Sequence, residues 1–143
     1  MPYQDIEDSR IYQRAERLAD VIWNAVIEWS SFARETVGQQ LTRAVDSIGA
    51  NIAESAGRFH PRDVINFLYY ARGSMRETRY WLKRARQRNL ITDPFMGEQM
   101  AELEALGAEI NSYINFQRTR AREPSGEYDV SSADNEPTNQ LTD

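Results

Sequence analysis

The chain has 143 residues, 41% of them hydrophobic, which predicts one domain with a single core of ordinary size. It has no cysteine, so disulfides, thiolate metal ligands and a thiol nucleophile are excluded. The formal net charge of −5 arises after Ala121, where one arginine accompanies six acidic residues, so the first 120 residues are neutral overall.

A regular apolar repeat predicts helix one over residues 9–34. Its positions alternate spacings of four and three without an internal glycine or proline, as one buried helix face requires. The repeat consists of Ile11, Ala15, Leu18, Ile22, Ala25, Trp29 and Phe32.

Helix two is predicted to begin at Thr36, because Gln39 three residues later completes a capping box. It should end at Ala56, with Gly57 in the left-handed conformation that closes many helices. The helix has an apolar stripe of Leu41, Val45, Ile48 and Ile52, and a neighbouring polar stripe of Ser47, Asn51, Glu54 and Arg58. These two faces predict contacts on two sides of the helix.

Helix three should start at Pro61, whose missing N–H is not needed in a first turn, and end near Arg88 with Asn89 as the turn residue. Its apolar seam is Val64, Leu68, Ala71, Met75, Thr78 and Leu82. Helix four should be capped by Asp93, with Pro94 in its first turn, and fade near Arg120. Its seam is Met96, Leu103, Leu106, Ile110 and Tyr113.

Three short connections between four amphipathic helices predict an all-α fold, an antiparallel up-down-up-down four-helix bundle over residues 1–120. Residues 121–143 are rich in Pro, Ser, Gly and acidic side chains and poor in apolar ones. We expect them to form a disordered acidic tail. Such a tail would be able to compete for a basic face as an internal counterion.

Basic residues are concentrated in helix three, where residues 58–88 hold nine basic and two acidic side chains. A basic stripe is formed by Arg72, Arg76, Arg79, Lys83 and Arg86, and Arg84 and Arg88 widen it. Spacings of four and three place the stripe on one face about 21 Å long, which makes these seven residues candidates for contact with nucleic-acid phosphates. The alternative is that Glu98, Glu102 and Glu109 of helix four, or residues of another subunit, pair with these cations.

Candidate catalytic groups are few. The polar stripe could orient water, but we interpret it, together with Ser74 and Glu77 of helix three, as a structural or assembly motif in which buried polar groups satisfy one another. A di-iron site of the kind found in four-helix bundles needs two Glu-x-x-His motifs, whereas His60 is the only histidine. We expect His60 to be a loop or helix-start residue, and we expect no enzymatic activity, cofactor or metal.

The sequence resembles a bacterial four-helix-bundle family that includes proteins encoded by intervening sequences of large-subunit ribosomal RNA genes. The resemblance spans roughly the first 118 residues. It is carried by Leu41, Ala44, Ser47, Ile48, Ala50, Asn51, Ile52, Ala53, Glu54 and Arg58 in helix two, and by Phe67, Leu68, Ala71, Gly73, Ser74 and Glu77 in helix three. The chain departs from the family at Gly49, where proline is common, and at Ser55, where glycine is common.

This resemblance implies a homo-oligomeric ring, commonly a pentamer. A more distant resemblance in fold is to the accessory variability determinant of diversity-generating retroelements, a pentameric bundle that binds a reverse transcriptase and nucleic acid. The sequence therefore leads to a hypothesis of a cytoplasmic, non-enzymatic accessory or scaffold protein whose partners are its own copies, RNA or DNA, and a protein such as a reverse transcriptase. The alternative is an assembly module without a nucleic-acid role. No apolar run reaches the roughly 18 residues of a membrane span, so we expect no membrane contact.

Overall fold

A computed structural model describes residues 6–122 of the chain. A short 3₁₀ turn, Ile6–Asp8, precedes four main helices: α1 (Arg10–Val26), α2 (Gln39–Ala56), α3 (Pro61–Gln87) and α4 (Asp93–Arg122). Consecutive helices pack against each other and α4 packs back on α1, which confirms the antiparallel four-helix bundle. The predicted tail lies outside the described residues except for its first two, which continue α4.

Helix one ends earlier than predicted. Ser9 caps α1 by accepting a hydrogen bond from the Tyr12 N–H at 3.3 Å, but the helix stops at Val26. Residues 27–30 then form a turn, and a new helical segment starts at Ser31. The apolar repeat continues through this turn without a glycine or proline, so periodicity alone does not reveal it. As a result Phe32 is 80% exposed instead of lying in the core seam.

The predicted capping box at Thr36 is also wrong. The segment Ser31–Ala33 runs directly into a π-helical turn, Arg34–Gly38, and then into α2. Thr36 therefore lies inside a continuous helical path, and its hydroxyl donates to the carbonyl oxygen of Phe32 at 2.7 Å. A side chain that bonds backward along the helix in this way provides no cap.

The remaining helix ends follow the sequence more closely, with one exception at the end of α2. Gly57 has φ −80°, so the predicted left-handed conformation is wrong at that position. Pro61 does occupy the first turn of α3, and Asn89 has φ 60°, as expected of a turn residue. The cap of α4 is Thr92, whose hydroxyl accepts from the Phe95 N–H at 3.2 Å, whereas Asp93 is already the first helical residue.

The core follows the predicted seams of α2 and α3, in which every predicted apolar position is buried. In α1 the buried positions are Ile11, Ala15, Leu18, Ile22 and Val26, and Trp29 packs at the edge of the core. In α4 the central seam is buried, but Met96 and Tyr113 are only partly so. Burial of these seams supplies most of the helical stability, since the packing of an amphipathic face contributes more than intrinsic helix propensity.

Asp46 of α2 lies in a small cleft against α1, with Asp20 among the other lining residues. Partial burial, and secondarily the charge of Asp20, raise the pKa of Asp46 above its ordinary value. The folded state therefore favours the protonated form, so this contribution to stability is present below the ordinary pKa and is lost as the pH rises through the raised one. We expect Asp46→Asn to raise the free energy of unfolding at pH 7 by no more than about 0.5 kcal/mol, because the residue is largely exposed.

Urea unfolding of Asp46→Asn and the parent chain at pH 7 and at pH 3 measures this difference. The gain at pH 7 should disappear at pH 3, where the parent carboxyl is itself protonated. Asp20→Asn is the matched control, since it removes the neighbouring charge but not the desolvation of Asp46. A gain for Asp46→Asn that is equal at both pH values would contradict the assignment.

Candidate nucleic-acid interface

The basic stripe of α3 borders a groove between α3 and α4. Arg72, Arg76 and Arg79 line one side, and Glu104 and Asn111 of α4 line the other. The groove has a volume of about 430 Å³, and its lining is completed by Met75, Leu103, Gly107 and Ala108. The spacing along α3 thus places three predicted candidates in one concave surface.

Other cations of the candidate set are engaged by neighbours. Arg86 donates to a carboxylate oxygen of Asp93 at the α3–α4 turn, and Arg84 donates to the amide oxygen of Gln87. The Arg86 pair lowers the pKa of Asp93 and raises that of Arg86, mainly through the hydrogen bond and then through the attraction of opposite charges. Arg72 lies over the ring of Tyr69, 5.4 Å from its centroid.

The remaining cations make no ion pair and no hydrogen bond within residues 6–122. They are Arg76, Arg79, Lys83 and Arg88. Arg76 and Lys83 are exposed and Arg79 is half-buried beside the groove. These side chains keep their full capacity to donate to an anion.

Two carboxylates of α4, those of Glu102 and Glu109, point toward α1 instead of the stripe. Glu109 pairs with Arg10 at 3.0 Å and with Arg14 at 3.4 Å, and Glu102 lies 3.9 Å from Arg14. Glu98 makes no ion pair within residues 6–122, so within one described chain the alternative that Glu98, Glu102 and Glu109 neutralise the stripe is wrong. Pairing of the stripe with another subunit stays an alternative.

The polar stripe of α2 bonds to its own helix. The Ser47 hydroxyl donates to the Arg43 carbonyl and the Asn51 amide donates to the Ser47 carbonyl, each at 2.9 Å. Glu54 pairs with Arg58 at 2.7 Å, and the Arg58 guanidinium lies 4.6 Å from the ring centroid of Phe67 on α3. Ser74 and Glu77 make no hydrogen bond to this stripe in the described chain. An assembly role for these residues stays a prediction.

His60 caps α3, which confirms the expected helix-start position. Its Nδ1 accepts from the Arg62 N–H at 3.4 Å. Residues 6–122 contain no group of three or more His, Asp or Glu residues placed to hold a metal ion. In the same range, none of the helices combines the length and apolar character that crossing a membrane requires.

One apolar surface was not predicted from the sequence. A groove of about 660 Å³ forms where the end of α1 meets the π turn, lined by Trp23, Val26, Ile27, Arg34, Glu35, Gly38, Gln39, Thr42 and Arg43. Trp23 is 53% exposed and Ile27 44% exposed. These two residues are four positions apart and lie off the core seam of α1, which is the sequence signal that could have identified this surface.

The described chain is thus an all-helical protein with a basic groove on α3 and α4 and an exposed apolar surface at the end of α1. Residues 7–112 match the family described as 23S rRNA-intervening sequence protein. The chain belongs to this family.

A solved structure of similar fold is described as a protein with unknown function from the S23 ribosomal protein family from Bacteroides thetaiotaomicron VPI-5482. It shares 25% sequence identity with this chain and superimposes with a TM-score of 0.65. The alignment covers 73% of this chain and 97% of that one. No curated protein matches the chain significantly.

Proposed function

We propose that the protein is a non-enzymatic, homo-oligomeric accessory or scaffold protein that contacts the backbone of nucleic acid through the basic face of α3. The observation that carries the proposal is a set of three cations that are unpaired within residues 6–122, Arg76, Arg79 and Lys83, of which the two arginines line the α3–α4 groove. An arginine is well suited to phosphate because its planar fork donates two parallel hydrogen bonds.

The arrangement of the carboxylates supports the same proposal. Glu102 and Glu109 form ion pairs with arginines of α1. Among the residues that line the groove beside the stripe, Glu104 is the carboxylate. Cations whose charge is not neutralised from within the fold attract polyanions over distances of about a Debye length. The contact would be directed to phosphates and therefore salt-dependent.

Self-assembly is supported by the apolar surface at the end of α1. Trp23 and Ile27 line the groove there and are 53% and 44% exposed. A surface of this kind on a soluble domain commonly marks a protein contact. A ring of subunits, a pentamer in the resemblance, would present several basic faces to one nucleic acid and so increase its avidity. By the more distant resemblance, the protein partner would be a reverse transcriptase.

The test is a fluorescence anisotropy titration of labelled RNA and DNA with the full-length chain and with an Arg76→Ala, Arg79→Ala, Lys83→Ala variant. We expect the variant to bind at least about tenfold more weakly at low salt. Its slope of log affinity against log salt should be smaller by about 2 to 3, because each lost phosphate contact contributes about 0.7–0.9.

The matched control replaces Arg17, Arg62 and Arg120 with alanine, which removes the same charge from positions outside both the stripe and the apolar groove. Light scattering establishes that both variants keep the parental oligomeric state. If the two variants weaken binding equally, only overall charge matters and the assigned face is wrong. If the parent chain binds no RNA or DNA at low salt, the assembly module without a nucleic-acid role is the better description.

A further inference from the structure

Tyr80 is an exposed aromatic side chain within the basic stripe. It is 54% exposed, and its ring meets that of Trp81 in a T-shaped contact with centroids 4.9 Å apart. Arg76 and the acidic Glu77 precede it by four and three residues, and Lys83 and Arg84 follow it by three and four. Side chains at these spacings are neighbours on a helix surface, with Cβ atoms about 5–6 Å apart.

The surroundings of Tyr80 leave its cationic neighbours Arg76 and Lys83 available, since neither makes an ion pair in the described part of the chain. Beside them the groove is bordered on the α4 side by the small residues Gly107 and Ala108. An aromatic ring among free cations next to a groove is the combination that binds single-stranded nucleic acid, because phosphates follow the cations while a base stacks on the ring.

We infer that the basic face selects single-stranded over double-stranded nucleic acid, with an unpaired base stacked on Tyr80 and the adjoining phosphates held by Arg76 and Lys83. This inference rests on the proposed function and specifies its ligand. In a duplex the bases are stacked on each other, so their faces are closed to Tyr80 and only the phosphate contacts remain. Every base has a π-face, so the contact would tolerate many sequences.

Tyr70 provides a matched control on the same helix. It is 58% exposed and contacts Phe67 in a T-shaped arrangement, 5.4 Å between centroids. The residues three and four positions from it on α3 are Asn66, Phe67, Gly73 and Ser74, none of which is cationic. Loss of this ring removes a similar exposed aromatic surface without touching the stripe.

The experiment measures anisotropy of a labelled single-stranded oligonucleotide and of its duplex, as RNA and as DNA, with the full-length parent, Tyr80→Leu, Tyr80→Phe and Tyr70→Leu. We expect Tyr80→Leu to bind the single strand about tenfold more weakly and the duplex unchanged, since one base stack is lost. Its salt slope should equal that of the parent, because no phosphate contact is lost. Tyr80→Phe and Tyr70→Leu should bind like the parent.

The outcomes separate this inference from the proposed function. If the parent binds single strands in a salt-dependent way and Tyr80→Leu binds them equally well, base stacking on Tyr80 is wrong while backbone contact stands. An equal loss for single strand and duplex would also overturn it. If the parent binds neither form, the proposed function fails and this inference fails with it. Urea unfolding of each variant verifies that the exposed substitutions leave the fold intact.

Discussion

Replacing Gly38 with alanine is expected to lower the free energy of unfolding by about 1.5 kcal/mol, although alanine is the better helix former. Gly38 closes the π turn at the point where the turn lies against the end of α1. A Cβ added there would lie 2.8 Å from Cγ1 of Val26, 3.2 Å from the carbonyl oxygen of Ala33 and 3.4 Å from Cε3 of Trp29. Neither the branched Val26 side chain nor the backbone oxygen yields easily, so the π turn must shift.

The same substitution at Gly49 should have the opposite sign. Gly49 lies inside α2, and an added Cβ would meet only the Cβ of Ala15, at an ordinary contact distance of 3.9 Å. Removing the conformational freedom of glycine from a helix interior should raise the free energy of unfolding by about 0.5–1 kcal/mol. The two variants differ in position but share one chemical change.

Urea unfolding followed by circular dichroism measures both variants. Subunit assembly would make the midpoint depend on concentration, so all chains are compared at one protomer concentration. A Gly38→Ala protein that is as stable as Gly49→Ala would contradict the close approach of the π turn to α1. This measurement also bears on the apolar groove, because Gly38 and Val26 both line it.

Sequence periodicity predicted the four helices because a buried helix face repeats its apolar residues in a way the sequence displays directly. The α2 stripe illustrates this: Leu41, Val45, Ile48 and Ile52 are all at most 1% exposed. The same reasoning failed at residues 27–30, since Trp29 and Phe32 keep the apolar spacing across a turn. Periodicity reports which residues share a face only while the helix is unbroken.

The candidate site was predictable in part. The spacing of Arg72, Arg76 and Arg79 placed them on one face, and all three do line one groove. Which cations are free depends on how the helices are rotated against one another, and that is a property of the whole bundle. Nothing local in α4 indicates that Glu109 turns toward α1. Tyr80 was missed because an aromatic residue in a helix is more often part of the core.

Loss of the Glu109 carboxylate should lower the free energy of unfolding more than most substitutions of partly exposed side chains in the bundle. Glu109 joins Arg10 and Arg14 of α1 to α4, and the side chains of Arg14 and Glu109 are only 20% and 26% exposed. Their facing atoms, Nε of Arg14 and Oε1 of Glu109, are buried and make no hydrogen bond within the described residues. Each of these atoms is therefore compensated chiefly by the opposite charge 3.4 Å away.

We expect Glu109→Ala to lower the free energy of unfolding by about 2 kcal/mol, because the partly buried Arg14 is left with only the more distant carboxylate of Glu102, 3.9 Å away. This is less than the roughly 3–5 kcal/mol of a fully buried pair, since water reaches both side chains. The double variant Arg14→Met, Glu109→Met should recover most of that loss, because the charges left over, those of Arg10 and Glu102, are exposed to water and methionine fills the space. Urea unfolding of the single and double variants at one protomer concentration measures the difference.

A double variant as unstable as Glu109→Ala would contradict this account and assign the loss to packing between α1 and α4.

The nucleic-acid titration tests the Arg14–Glu109 ion pair independently, through its effect on binding affinity. Arg14→Met alone makes the net charge more negative by one and leaves Glu102 without its ion-pair partner within residues 6–122, so it should weaken binding. In the double variant the net charge returns to the parental value, so binding should return toward the parental affinity. The ion pair thus ties the stability of the α1–α4 contact to the charge of the proposed interface.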